Sequence, residues 1–215
     1  HTLYRSPTSH YTMSVTIWFD GGCKPHSPGG HGTYGFIIKQ DGDLLLEDGG
    51  YIGKGPDMTN NVAEYTALIE ALSALKETNS SPNHIHVLGD SELIINQVKG
   101  DYNVYSPRLR PLYVTAQTLI DTFDATVQLQ WVKRDQNSRA DELAAEAYRD
   151  HAYHHQEQAA RDTPLPIQAT GEHSYRIDEE LVDLTSHTCT CSDFQDHGAK
   201  CIHLFKALLL ENGEL

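Results

Sequence analysis

Ser14-Val15-Thr16-Ile17-Trp18-Phe19-Asp20-Gly21-Gly22 is the stretch on which the fold turns. Residues 14–20 alternate in polarity, which predicts a central strand. Its apolar run ends on an acid. Ile85-His86-Val87-Leu88-Gly89 also reads as a strand, over 84–89, and also ends on an acid, Asp90. Two more acids fall on the apolar stripes of predicted helices. Glu64 shares a face with Asn60, Ala67, Leu68, Ala71 and Leu75, and Asp141 with Ala144, Ala145 and Tyr148. One such carboxylate is ordinarily a boundary residue, and an acid in a first helical turn suits the helix dipole. That reading fits Glu64 and Asp141 but leaves Asp20 and Asp90 unexplained. Acids packed together are costly unless cations neutralise them. A carboxylate cluster with room for water suits Mg²⁺ or Mn²⁺, and paired ions of this kind carry out phosphodiester chemistry.

Working outward, strands are expected near 33–40 and 43–52, joined at Asp41-Gly42 as an antiparallel meander. The segment from Gly21 to Gly30 is dense in turn formers and reads as a loop. Val62, Tyr65, Leu68, Ile69, Leu72 and Leu75 predict a helix over 60–77. Ser91 and Gly100 bracket a short helix over 92–99. Another helix follows Pro107, then a strand over 126–132 and a last helix from Ser138 to about His155. The order βββαβααβα predicts an α/β domain with a mixed five-stranded sheet flanked by helices. The expected organisation is a disordered or cloning-derived tail at 1–12, with Met13 a candidate natural start. A domain at 13–155, a Pro-containing linker at 156–168 and a small zinc-binding domain at 169–215 follow it.

The chain has 215 residues and a net charge of −14. Nucleic-acid binders are more often basic, so a strong nonspecific grip on nucleic acid is disfavoured. Any such binding must rest on metal ions, backbone amides and local basic spots. No apolar run approaches the roughly 18 residues of a membrane span, and no signal segment opens the chain. A cytoplasmic, membrane-free and monomeric protein is expected.

The blocks Ile17-Trp18-Phe19-Asp20-Gly21-Gly22, Thr59-Asn60-Asn61-Val62-Ala63-Glu64, Gly89-Asp90-Ser91-Glu92-Leu93 and Asn137-Ser138-Arg139-Ala140-Asp141-Glu142-Leu143-Ala144 resemble, in order and spacing, those of type 1 ribonuclease H. The resemblance covers residues 14–150. It implies a ribonuclease H-like fold and an endonuclease that cuts the RNA strand of RNA/DNA hybrids, leaving 3′-hydroxyl and 5′-phosphate ends. It also implies that Asp20, Glu64, Asp90 and Asp141 hold two Mg²⁺ or Mn²⁺ ions, with Asp20 between them. One ion would activate a water and the other, roughly 4 Å away, would stabilise the leaving oxygen. Substrate contacts then fall on Gly21, Gly22 and Cys23, whose backbone can approach a 2′-hydroxyl, and on Thr59, Asn60 and Asn61. Plain helix capping is the competing account of that last trio. Many bacterial members carry a histidine before the fourth acid; here Val132 to Ala140 has none, and Arg134 or Arg139 is the candidate to hold phosphate or assist product release. The basic handle found in many members is also missing from Gln97–Tyr105, so weak hybrid affinity is expected of this domain alone.

Cys189-Thr-Cys191, nine residues, then Cys201-Ile-His203 form a CxC…CxH pattern. Three thiolates and an imidazole complete a closed, structural Zn²⁺ site. The segment resembles a SWIM-type zinc finger through Tyr175, Val182-Asp183-Leu184 and Cys191-Ser-Asp-Phe194, a module expected to bind further nucleic acid or a protein partner. Asp193, Asp196 and Glu172 make it acidic for a DNA-binding finger, and Lys200, Lys206 and His197 supply a thin basic side. His151, His154 and His155 cluster on the last helix, where a solvated helix end is the plainer reading. The rival to an active nuclease is a catalytically silent module that binds hybrids or protein. A third reading keeps the enzyme and changes its substrate to RNA–DNA junctions or duplex RNA.

Overall fold

Five strands and four helices build the first of two compact units, which divide between Tyr148 and Arg149. The computed structural model describes residues 12–197 and 201–215. Residues 1–11 of the tail expected at 1–12 and the basic contribution of Lys200 lie outside the described residues, as do the side chains of Asp193, Asp196 and His197. Strands β1 (Ser14–Lys24), β2 (His31–Gln40) and β3 (Asp43–Lys54) form the meander. Then come α1 (Asn60–Glu77), β4 (His84–Gly89), α2 (Glu92–Lys99), α3 (Leu109–Ile120), β5 (Thr126–Trp131) and α4 (Ser138–Asp162). The sheet order is β3-β2-β1-β4-β5. The first three strands pair antiparallel, while β1–β4 and β4–β5 are parallel.

The alternation of β1 sends Val15, Ile17 and Phe19 to one face, where each is fully buried with Leu68, Leu72 and Leu75 of α1 and Ile85 and Val87 of β4. Trp18 points to the opposite face, with Lys39 over its ring at 5.7 Å. One buried polar link ties α1 to α2: Tyr65 donates to Gln97 Oε1 at 2.8 Å. Among the described residues, no helix is long and apolar enough to cross a membrane.

Two features of these elements differ from the expectations above. β1 does not stop at Asp20 but runs on through Gly21, Gly22, Cys23 and Lys24, paired to Tyr34, Thr33, Gly32 and His31. The turn-forming residues stay extended because α1 presses against the strand. A Cβ on Gly21 would lie 2.2 Å from the Ala63 carbonyl carbon, so only glycine fits. The last helix also continues past His155 to Asp162, so the expected linker 156–168 is helical in its first half. Burial explains the extension: Ala160 is fully buried beside Phe205 and Leu209.

In the second unit, β6 (Ile167–Gly171), β7 (Ser174–Ile177), β8 (Glu180–Asp183) and β9 (Thr188–Cys189) form a four-stranded antiparallel sheet. Helices α5 (Ser192–His197) and α6 (Ile202–Glu211) follow. Ser174 to Leu184 reads in the sequence as a short hairpin, which β7 and β8 form. β6 and β9 are polar or very short, and nothing in their composition marks them. Ile177, Val182, Leu184, Leu204 and Ala207 make the core of this unit together with the three cysteines. Lys206 is buried at 6 % exposure, and its Nζ donates to the Ala160 and Thr163 carbonyls, each at 2.7 Å. It thereby supplies a partner to carbonyls at the C-terminal end of α4, which the helix itself leaves open.

Candidate active site and metal centre

The sheet register puts the first two acids side by side. Phe19 pairs with Gly89 across parallel strands, so Asp20 and Asp90, one residue further along, lie side by side. Glu64 comes from the first turns of α1, which the absent side chain of Gly21 allows to approach β1. One oxygen each from Asp20, Glu64 and Asp90 lies within 4.8 Å of the others. Asp141 is not in this trio. It comes close enough to Asp20 to raise the Asp20 pKa by charge and by a hydrogen bond, and it is held by an ion pair from Arg134. The expected group of four is therefore three acids plus one, with Asp20 common to both parts. Asp141 rides on α4, which packs against the sheet at Gly35, where a Cβ would lie 2.4 Å from the Ala140 carbonyl oxygen.

The electrostatics mark a site built for positive charge. Burial, then repulsion from Asp90 and Asp141, pushes the Asp20 carboxyl up to about 8. Burial, then Asp20 and Asp90, holds the Glu64 carboxyl well above its usual range. Glu64 Oε2 is buried with no hydrogen-bond partner. An orphaned carboxylate oxygen among other carboxylates, beside a polar cleft of about 280 Å³, fits a hard divalent cation that keeps some of its water.

The sequence reading missed two supports of Asp90. Asn137, 1 % exposed, donates from Nδ2 to Asp90 Oδ1 at 2.8 Å and to the Phe19 carbonyl at 2.9 Å. One amide thus fixes the acid on β4 to the strand that carries Asp20. Trp131 Nε1 donates to the Asp90 carbonyl at 3.0 Å. Asn137 stands just before a helix, where asparagine ordinarily reads as a cap; that signal masks its other role.

Gly21, Gly22, Cys23, Asn60 and Arg134 all line the cleft with the four acids. The Cys23 amide donates to Asn60 Oδ1 at 2.8 Å, and the Cys23 thiol is turned toward the His26 and Met58 carbonyls. Thr59 does cap α1, accepting from the Val62 amide at 3.2 Å. With Asn60 and Asn61 it also lines an adjoining hollow. Arg139 stands apart. It is bound by Glu47, Glu142 and Glu146 and does not line the cleft.

In the second unit, ligand atoms of Cys189, Cys191, Cys201 and His203 lie within 4.8 Å of one another. The cysteines are buried and form no disulfide. Burial raises the Cys189 and Cys201 thiols, so thiolates here require a cation. His203 Nδ1 is buried without a hydrogen-bond partner. Three soft sulfurs and an imidazole with no open position fit a structural Zn²⁺.

A family model described as reverse transcriptase-like matches residues 18–147, and one described as SWIM zinc finger matches residues 176–212. Ribonuclease HI of Halobacterium salinarum is 37% identical over 136 residues, which are 63% of this chain and 65% of that protein. A bifunctional protein of Mycobacterium tuberculosis is 37% identical over 159 residues, covering 74% of this chain and 41% of that protein. The chain thus spans less than two thirds of the length of these curated relatives. Among solved structures, RNase H1 from Halobacterium salinarum matches with a TM-score of 0.58 and 36% identity, over 64% of this chain and 98% of that one. The LC11 RNase H1 in complex with an RNA/DNA hybrid matches with a TM-score of 0.59 and 34% identity, over 65% and 99%.

Proposed function

Because the chain belongs to the reverse transcriptase-like family of ribonuclease H domains and carries a SWIM zinc finger, we propose that it hydrolyses the RNA strand of RNA/DNA hybrids to 3′-hydroxyl and 5′-phosphate ends. The observation that carries this reading is the convergence of Asp20, Glu64 and Asp90 around an orphaned carboxylate oxygen. Bound Mg²⁺ or Mn²⁺ ions supply Lewis acidity at the scissile phosphate and a nucleophile at neutral pH. Asp20, Glu64 and Asp90 hold one such ion. A second ion would be held by Asp20 together with Asp141, whose carboxylate hydrogen-bonds to Asp20. Asn137 keeps Asp90 from swinging toward solvent. Arg134, beside Asp141, is placed to meet a phosphate entering the cleft.

Selection for RNA rests on the 2′-hydroxyl. The side-chain-free backbone at Gly22, where a Cβ would meet nothing nearer than Thr33 Oγ1 at 3.9 Å, leaves room for a sugar to come within hydrogen-bond reach of the strand. Asn60 accepts from Cys23 with its carbonyl oxygen, which leaves its amide N–H groups to donate to the substrate. The zinc module holds its fold through Cys189, Cys191, Cys201 and His203 and adds binding to nucleic acid, offsetting the weak grip of an acidic domain. The test is a parallel digest of hybrid, duplex RNA and a duplex with a single ribonucleotide, in Mg²⁺ and in Mn²⁺, with an Asp90→Asn control. Cleavage of the hybrid RNA strand, absent from the control, is expected. Binding without cleavage in either metal defeats the nuclease reading and leaves a silent binding module.

A further inference from the structure

The sequence predicts that α4 stops at about His155, which would leave His151, His154 and His155 on a solvated last turn. In the structure α4 runs on to Asp162, so all three lie inside a continuous helix, in the stretch that belongs to the second unit. A helical backbone gives their spacing a fixed meaning. His151 and His155 are four residues apart, one turn along the same face. Their ring centroids are 6.4 Å apart, with the planes tilted by 49°. His151 is half-buried, while His154 and His155 are exposed. Burial, then His155 and His154 beside it, lowers the His151 imidazole, which favours the neutral ring that metals bind. At about 100° per residue, His151 and His155 lie on the side of α4 opposite Tyr153 and Ala160, the residues that pack against Phe205 of α6. The second half of α4 is thus clamped by α6 on one side and carries the histidine pair on the other.

We infer that His151 and His155 form a further metal centre, a two-imidazole chelate for a borderline divalent transition ion of the Ni²⁺, Cu²⁺ or Zn²⁺ class, which staples this turn of α4. Paired histidines at this spacing on one helix face are a recurrent way of holding such an ion. With metal–nitrogen bonds of about 2.0–2.1 Å, the two ligand nitrogens must come to roughly 3–3.4 Å of each other. Side-chain rotation reaches that from the present ring spacing with the backbone fixed. Waters complete the coordination. Ligand chemistry keeps the three centres apart. The carboxylates of the first unit suit Mg²⁺ or Mn²⁺, the three thiolates of the second suit Zn²⁺, and an imidazole pair takes Ni²⁺ or Cu²⁺ in preference to Mg²⁺. An ion that bridges two consecutive turns binds only the formed helix, so by mass action it stabilises that helix against local opening.

The test is a Ni²⁺ titration of the full chain, loaded with its zinc and kept in excess Mg²⁺, read by calorimetry and by hydrogen exchange with mass spectrometry. Ni²⁺ is expected to bind while the zinc content stays constant. The number of Ni²⁺ ions bound per chain should fall by one in His151→Gln and by one in His155→Gln, and His154→Gln should keep the wild-type number. With free Ni²⁺ at about 100 times its Kd, amide exchange over residues 151–159 should slow by up to about 100-fold. No Ni²⁺ bound, or the same number bound by the wild type and by both variants, overturns the site. A loss in His154→Gln equal to that in His155→Gln overturns the assignment to the pair one turn apart. The exchange measurement needs only the wild type, so it decides even where a variant unfolds: Ni²⁺ that leaves the amides of 151–159 exchanging at their former rate overturns the staple.

Discussion

Asp20→Asn is expected to abolish cleavage and, in chelator, to make the first unit more stable. The carboxyl of Asp20 lies at about 8 in the folded chain against an ordinary 3.8, through burial and two neighbouring acids. A carboxyl raised on folding lets the native state hold its proton longer than the unfolded state does. Its stability contribution is thus best at low pH and is lost as pH rises from about 4 to about 8, at roughly 1.4 kcal/mol per pH unit. The full difference amounts to roughly 5 kcal/mol, and the gain left after an amide replaces the acid is on the order of 2–4 kcal/mol at pH 8. A unit of this size moves its midpoint by about 2–4 °C per kcal/mol, so the variant should melt about 5–15 °C higher at pH 8. Near pH 4 the two proteins should coincide. The assay is tryptophan fluorescence in EDTA: Trp18 and Trp131 both lie in the first unit, so its unfolding is read without the zinc module. Saturating Mg²⁺ should raise the melting point of the wild type and do little for the variant. A variant as labile as the wild type, or more so, at pH 8 in chelator would refute the claim that the acids are strained together for a cation.

Cys189→Ser should release one zinc per chain by chelator titration and abolish hydrogen-exchange protection in β7 to β9, while turnover at saturating hybrid stays largely intact and the apparent KM rises; an equal collapse of kcat contradicts separate roles for the two units. Asn137→Ala removes the amide that fixes Asp90 and should cost about 1–3 kcal/mol of stability, with kcat falling more than KM changes, measured by melting and steady-state cleavage. Gly21→Ala drives a methyl into the backbone of α1 and should cost at least about 1–3 kcal/mol while weakening Mg²⁺-induced stabilisation, because Glu64 moves with the helix.

What the sequence made legible follows physical periodicity. The strand runs ending in Asp20 and Asp90 and the 3.6-residue pattern of α1 carried the core, the sheet and three of the acids. The Cys and His spacing carried the second centre, because a tetrahedral site needs few atoms and tight chain geometry. The errors came where tertiary contact overrides local chemistry. Gly21-Gly22-Cys23-Lys24 looks like a turn, yet β2 and α1 hold it as strand. Gln156 to Asp162 looks like a linker, yet α6 covers Ala160 and makes it helix. Arg139 sits within the acid-bearing block, two residues before Asp141, and looked available, but three glutamates claim it. Neither the split between the Asp20 trio and Asp141 nor the bond from Asn137 to Asp90 can be read without coordinates.

The Lys206 ammonium, sealed against two main-chain carbonyls of α4, gives the second unit a native chemical sensor. An amine at 6 % exposure and bonded to two carbonyls is shielded from an amine-selective reagent, so its acylation is expected to wait for α6 to lift. The labelling rate at this one lysine, followed by peptide mass mapping, therefore clocks the opening of the module without any added probe.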